Sequence, residues 1–542
     1  MVDRFTLAQL QNNPVHFLLD FTWAGRTIRL AEYDLKDVPL GENNANVDYK
    51  DGLDFGGSYE DTLKLFQDEP DLRSVDMSLY VSPQLNIKTL IAEGFNLGTA
   101  TGVLRLWVEG SSDTITLIDG VFKDPSWDIG DSPIVGTLEE NPVEDSNLIP
   151  DLDATVTTDS WAAIASTEAI YGEYYPIIIG QPRGTDTQQY PTPGLLVDNT
   201  GGAEKVLIAG HPVLATTVKV NVPDIWATVH TVNVTNEKDA LGRMVATIPV
   251  DNVTTGELIA PSLTDEIWIS WTGGTGIYSH DTNVGLRGAG DVLRYFLERS
   301  SLRWDSGRVE TIIPKLNQFN IDTYVLASKD KRITPFHYIQ DTLLPILPVS
   351  VRYGSRGLYF VYWNYFATAE QAIIHIQQDI NADRVGAIET TRLDRVHNEY
   401  TLSYDHSARS GNFQSKVTIS GNDISIAQDS KIIPNLYAQR SCYSYGVRSP
   451  LQESTQVVRE QATAVLIAEW KIRRHSQQFY EMSYDVEQEI AGLIEPGSVI
   501  KLTDTDRGFT NRVGLVTSVL MGSDRTYQLG LSMPASDLST AQ

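Results

Sequence analysis

The chain has 542 residues, with 70 Asp and Glu against 42 Lys and Arg and a formal charge of −28. A surface this acidic repels phosphate backbones and anionic lipid, which excludes nucleic-acid binding as the main task. The single cysteine, Cys442, excludes an intrachain disulfide and any multi-cysteine zinc or iron–sulfur site.

Several cores fit into this length, enough for roughly three or four domains. No run approaches the ~18 apolar residues that cross a bilayer. Met1 to Asn13 is polar and lacks a secretory apolar segment, so neither membrane insertion nor export by a cleaved N-terminal signal is expected.

In chain order, His16 to Phe21, Thr27 to Ala31, Thr101 to Val108 and Thr114 to Phe122 alternate apolar and polar residues between Gly, Asp and Asn turns. This is the pattern of an antiparallel barrel or sandwich, assigned to 1–137. Gly41 to Tyr59 is polar and glycine-rich, and Thr62 to Phe66 and Lys88 to Glu93 are short helix candidates. Residues 138–153 carry six acids, including Glu139, Glu140, Glu144 and Asp145, two prolines and no Lys or Arg, which predicts a solvated acidic linker.

A β-rich second domain is predicted over 154–285, with strands at Val206 to Ala209, Thr216 to Val222, Thr228 to Val234, Met244 to Pro249 and Glu266 to Trp271. Gly273 to Gly276 lacks the lysine and the strand-to-helix setting of a phosphate cradle, so it reads as a loop. An α+β domain follows over 286–397. Asp291 can cap a helix presenting Val292, Tyr295 and Phe296, and Thr334 with Pro335 starts another. Thr368 and Gln371 form a capping box for a helix over Ala369 to Gln378. Val349 to Tyr353 and Leu358 to Trp363 pair as a hairpin across a Gly-Ser-Arg-Gly turn.

Residues 398–542 read as a second β-barrel split by a long helix at 455–474, whose apolar positions recur at helical steps and whose last turn gathers Lys471, Arg473, Arg474 and His475. Strands over 398–450 are expected to join a terminal hairpin, Val513 to Leu520 with Tyr527 to Ser532. The fold class is therefore mainly β with an α+β portion: two β-barrel domains, a β-rich insert and a small helical region.

No catalytic constellation emerges. The nine histidines form no HxxxH or HxH pair, no serine sits in a GxSxG elbow, and no Walker or Rossmann pattern is present. His397 and His406 with Asp394 and Asp405 come nearest to a site, although ordinary strand-end and turn roles explain them better. Cys442, set among strand-forming residues, reads as a small buried side chain and not a nucleophile. Acidic pairs such as Glu139 with Glu140 arise by chance among 70 acids. The expected catalytic, cofactor and metal residues are none, and the protein is expected not to be an enzyme.

Leu493 to Asp504, following the long helix and a strand, together with Ser441 to Arg448 just before that helix, resembles the C-terminal part of tail hub (baseplate hub) proteins of long-tailed bacteriophages and gene transfer agents. Tyr175 to Pro182, Gly290 to Leu297 and Leu343 to Ser350 extend the resemblance from about Val156 onward. It implies a structural virion component at the tail tip, assembled in the host cytoplasm. The expected assembly is a homotrimeric ring whose two barrels per copy match a hexameric tail tube. Its implied partners are further copies of itself, the distal tail and tail tube proteins, the tape measure protein and a central fibre or spike, with contact to the host envelope only indirect. DNA ejected through the ring would meet an acidic lumen without specific binding. Two other functions are weighed: a receptor-binding adhesin, suggested by 24 Tyr and 10 Trp, and a cell-wall hydrolase, for which the sequence offers no support.

Overall fold

Alternating apolar residues bury one face of each strand and turn the other outward, and in this chain that pattern produces sheets that curl until their ends meet. A computed structural model describes residues 13–535, apart from 24, 41–45, 55–58, 64–72, 81–96, 129–132, 141–144, 152–153, 185–190, 224, 258–260, 272–285, 326–331, 355, 365–366, 422–430, 488–489, 491–493 and 523–526. The predicted helix at Lys88 to Glu93 and the loop at Gly273 to Gly276 lie outside the described residues, as does most of Thr62 to Phe66, whose Thr62 instead ends a strand.

In the first sheet, Val15–Trp23 pairs with Arg26–Ala31 on one side and Thr101–Val108 on the other. The order continues through Thr114–Ser126 and Ile134–Glu140 to Ser74–Leu79. Val47–Asp51 lies beside Arg26–Ala31, and Leu53–Asp54 lies beside Ser74–Leu79. Only Gly52 separates these two strands. Its N–H donates to Ala31 O at 3.1 Å and its carbonyl accepts from Tyr80 N–H at 2.8 Å, so one residue links Arg26–Ala31 to the far side of the sheet beyond Ser74–Leu79, with Leu35–Val38 paired outside Val47–Asp51. Its φ of +150° is readily adopted by glycine alone.

The β-rich insert closes in a similar way. His230–Asn233 pairs with Thr217–Asn221, and Thr235–Lys238 pairs with Met244–Pro249, with only Val234 between them. These halves of one extended stretch are the two ends of the seven-stranded order, which curls around Val206, Val218, Ile248, Ile269 and Trp271.

The terminal sheet runs Ile374–Gln377, Val499–Asp504, Phe509–Met521, Tyr527–Pro534, Phe479–Val486, Ala382–Thr390, so its two end strands are consecutive in the chain. The predicted terminal hairpin is present, with Met521 opposite Tyr527. Phe21, Leu104 and Phe122 of the first sheet and Tyr484, Val516 and Leu529 of the terminal sheet belong to one continuous apolar core.

Helices Ala289–Leu297, Ser306–Leu316 and Gln461–His475 share a second core with the hairpin Val349–Gly354/Gly357–Tyr362 and a four-stranded sheet. Gly288 and Gly290 allow the first two helices to touch: a Cβ on Gly288 would lie 2.4 Å from Asn317 Oδ1, and one on Gly290 2.5 Å from Ile313 O.

Several expectations are corrected. The acidic segment does not begin at 138, because Leu138 to Glu140 complete strand Ile134–Glu140, and farther along Ile149 is buried and bridges Ile333. Asp145 there accepts from the N–H of Ser301 and of Phe336, so this acid serves backbone donors where composition suggested solvation. Gly288, not Asp291, occupies the N-cap of its helix, and Asp291 stands in the first turn accepting from Asn317 Nδ2.

The capping box at Thr368 and Gln371 forms, yet it starts only the 3-10 turn Ala369–Gln371. The chain then becomes strand Ile374–Gln377, because parallel pairing with Val499–Asp504 outweighs local helix propensity. Ser441 to Tyr445, Cys442 included, belongs to helix Leu436–Tyr445, which Asn435 caps through Tyr437 N–H and Ala438 N–H. The long helix starts at Gln461, since Val457 and Val458 ahead of it give their carbonyls to Asp322 N–H and Asp405 N–H instead of a helical ladder. Finally, Glu399–His406, Phe413–Ser420, Lys431–Pro434 and Leu451–Ser454 form their own sheet and do not join the terminal hairpin. Strands Glu399–His406 and Phe413–Ser420 of this sheet pack against the long helix in the helical core.

Candidate functional site

The seam between the two end barrels is built by a short strand, Tyr59–Thr62. It leaves the first barrel and adds to the terminal one, Thr62 opposite Ser518 and Tyr59 opposite Met521. Strand Phe509–Met521 is long enough to hold Val499–Asp504 on its first half and this visiting strand on its second, along the same flank.

Asp61 enters the seam on that strand, 8% exposed, and forms an ion pair with Arg352 from the central hairpin. Arg73 approaches from the first barrel. Its Nε lies 3.5 Å from Asp61 and 3.7 Å from Glu140, and Nη1 donates to Leu117 O at 2.8 Å and to Tyr59 Oη at 3.3 Å. Its Nη2 reaches the carbonyl of Tyr353, and Arg352 Nη1 donates to Pro496 O at 3.4 Å. Two guanidiniums thus face two carboxylates where three parts of the fold meet. Burial opposes the charge on Arg73, but Tyr59, Glu140 and Tyr359 outweigh it and raise its pKa. Burial raises the Glu140 pKa, against the lowering by Arg73. Desolvation of this depth is tolerated only because each charge has a partner. Nearby, Arg308 bonds Glu495 at 2.9 Å and lies over the Tyr359 ring.

A second seam joins the insert to the helical core. Asp322 accepts from Gln181 N–H at 2.7 Å and from Arg287 Nε at 2.8 Å, and Arg287 also reaches Glu460 just before the long helix. Gly180 must be glycine here, since a Cβ would stand 2.0 Å from Ile321 O. Chemically both seams are clamps: they present no nucleophile beside a base.

Of the residues noted from sequence, Asp394 and His397 line one cavity, while His406 and Asp405 do not join them. Asp405 is buried against Arg459 at 3.1 Å, and Asp394 pairs with Arg392 at 2.6 Å. His406 stacks near Phe413, while His397 lies near His475. Glu139 pairs with Lys123 and Glu140 with Arg73, so these neighbours on one strand point to opposite faces. Among the described residues, no group of three or more His, Cys, Asp or Glu could hold a metal ion. The large exposed aromatics there, Tyr33, Tyr80, Trp127 and Tyr443, sit on different elements, whereas Tyr359 is buried.

Arg73, Asp61 and Arg352 escaped sequence reasoning because they lie far apart in the chain. One signal was available: in Val349-Ser350-Val351-Arg352-Tyr353 an arginine interrupts a strand whose neighbours are core residues, which marks a buried charge needing a partner.

No protein-family model and no curated protein matches the chain. Among solved structures, the 43 kDa tail protein of prophage MuSo2 from Shewanella oneidensis aligns over 96% of this chain and 96% of its own, at 9% identity and TM-score 0.35. The tail protein from Neisseria meningitidis MC58 aligns over 96% and 97%, at 8% identity and TM-score 0.36. A chain of the virion of a native gene transfer agent particle aligns over 49% of this chain and 82% of its own, at 14% identity and TM-score 0.19. At TM-scores below 0.5 these likenesses decide nothing about this chain.

Proposed function

We propose that this chain is a structural, non-enzymatic component of a bacteriophage or gene-transfer-agent tail, a baseplate hub that assembles as a homotrimeric ring at the tail tip. The observation that carries this reading is the shared core of the two end barrels, locked by the strand Tyr59–Thr62 and the Asp61, Arg73, Arg352 and Glu140 clamp. Two barrels held as one rigid body let three chains present six similar edges, which fits a sixfold tube above and a threefold fibre or spike below. The distal tail, tail tube and tape measure proteins are the partners this geometry suits. DNA leaving through the ring would be repelled by an acidic wall, consistent with a charge of −28.

Electron microscopy of particles labelled with an antibody to this chain tests the reading. Label confined to the end of the tail tube supports a hub. Label along peripheral fibres moves the assignment to an adhesin, and no label on any particle removes the virion role.

A further inference from the structure

A cavity of about 410 Å³ opens where the last turn of helix Gln461–His475 runs into strand Phe479–Val486. Its walls include Arg392, Arg395, His397, Arg474, His475 and Gln477. The volume is within the ~300–1,000 Å³ range of sites for small ligands. In a chain dominated by acids, the local balance reverses: three guanidiniums meet two carboxylates, Asp394 and Glu481, and Arg392 already holds Asp394.

Gln477 is the second observation. It is 3% exposed, and neither Oε1 nor Nε2 of its amide has a hydrogen-bond partner among the described residues. A buried amide left in this state is unfavourable, and an occupant of the cavity that bonds to it would relieve that cost. Arg474 is 5% exposed and is held over the rings of Phe479 at 4.7 Å and Trp363 at 5.5 Å, so its position is set before any ligand arrives. Arg395 has no carboxylate within ion-pair distance among the described residues, although it projects from the exposed turn Leu393–Arg395 on the cavity rim. Burial first, then Arg474, Lys471 and His397, push His475 down to about 3, so its ring is neutral near pH 7.

The cations of the helix's last turn are accounted for by the helix dipole, but Arg395 and Gln477 lie outside that helix and are not. We propose that this cavity is an oxyanion site, taking a small phosphate- or carboxylate-bearing molecule with the Arg395 guanidinium and the Gln477 amide as its principal donors. The site is independent of the tail assignment.

Isothermal titration of the full chain with inorganic phosphate and, separately, with succinate, both at fixed ionic strength, tests it. Saturable binding of one of the two is expected, and the anion that binds identifies the ligand as phosphoryl or carboxylate. Arg395→Ala, at an exposed position, should weaken binding about tenfold or more, in line with a charge-assisted hydrogen bond. Gln477→Leu should weaken it in the same direction. The absence of saturable binding with both anions overturns the proposal, as does unchanged affinity in Arg395→Ala. Should Gln477→Leu fail to fold, the exposed Arg395 variant still decides the matter.

Discussion

The guanidinium of Arg73, from the first barrel, hydrogen-bonds to the backbone carbonyl of Tyr353 in the central hairpin while its Nε faces Asp61 and Glu140. One side chain therefore ties three segments that are remote in sequence. Arg73→Met leaves two buried carboxylates with a single remaining cation, Arg352, and should destabilise the fold by about 3–5 kcal/mol. Urea unfolding followed by circular dichroism measures this, and a loss below about 0.5 kcal/mol would show that the clamp is not structural.

Gly52 is the closing stitch of the first barrel. A side chain there has to adopt a φ of +150°, and its Cβ would stand 3.1 Å from Leu30 Cδ2. Gly52→Val should cost about 1–3 kcal/mol or more through backbone strain. Hydrogen exchange should show faster exchange at Gly52, Tyr80 and the paired amides near Ala31 than in the insert.

His211 supplies a pH dependence. Its Nε2 accepts from Ile178 N–H at 2.9 Å, its Nδ1 lies 2.9 Å from Pro212 O, and burial pushes it from 6.5 down to about 4. The unfolded chain takes up a proton near 6.5 that the folded chain refuses until about 4, so the unfolded state binds more protons in that window. The stabilisation is complete above pH 6.5 and is lost as pH falls toward 4, at no more than ~1.4 kcal/mol per unit. His475, held at about 3, acts in the same sense. Unfolding at pH 7, 6, 5 and 4 should give a slope that His211→Gln reduces. An equal slope in the variant would assign the effect elsewhere.

Ile467 and Ile380 contrast core with surface. Ile467, fully buried on the long helix, should lose about 2–5 kcal/mol as Ile467→Ala, whereas Ile380, 70% exposed in a turn, should change stability by less than about 0.5 kcal/mol. Comparable losses at both positions would contradict the packing described.

Assembly gives the last expectation. Under the proposed hub role, the isolated chain should sediment as a trimer or larger species, and charges placed on exposed barrel edges should shift it to monomer. Analytical ultracentrifugation distinguishes the two. A stable monomer at micromolar concentration would count against a hub.

Local pattern was legible wherever local physics decides structure. Alternation placed Thr101–Val108 and β-favouring composition placed Met244–Pro249 to the residue, the Gly-Ser-Arg-Gly turn marked the central hairpin, and Thr334 with Pro335 started its helix, because sterics, caps and side-chain preference act within a few residues. Pattern failed where a distant partner outweighed propensity. The capping box at Thr368 yields to a parallel strand, and Val457 and Val458 stay extended to serve Asp322 and Asp405.

By itself, then, the sequence determined a mainly β chain with an acidic surface, a helical middle and no catalytic motif, since composition and short-range periodicity carry that information. Only the tertiary structure decided that the end strands of the insert and of the terminal sheet are chain neighbours, that Tyr59–Thr62 crosses from one barrel to the other, and that Asp61, Arg73, Arg352 and Glu140 meet. Such pairings depend on which surfaces must be desolvated together, a property of the whole packed chain and of no window within it.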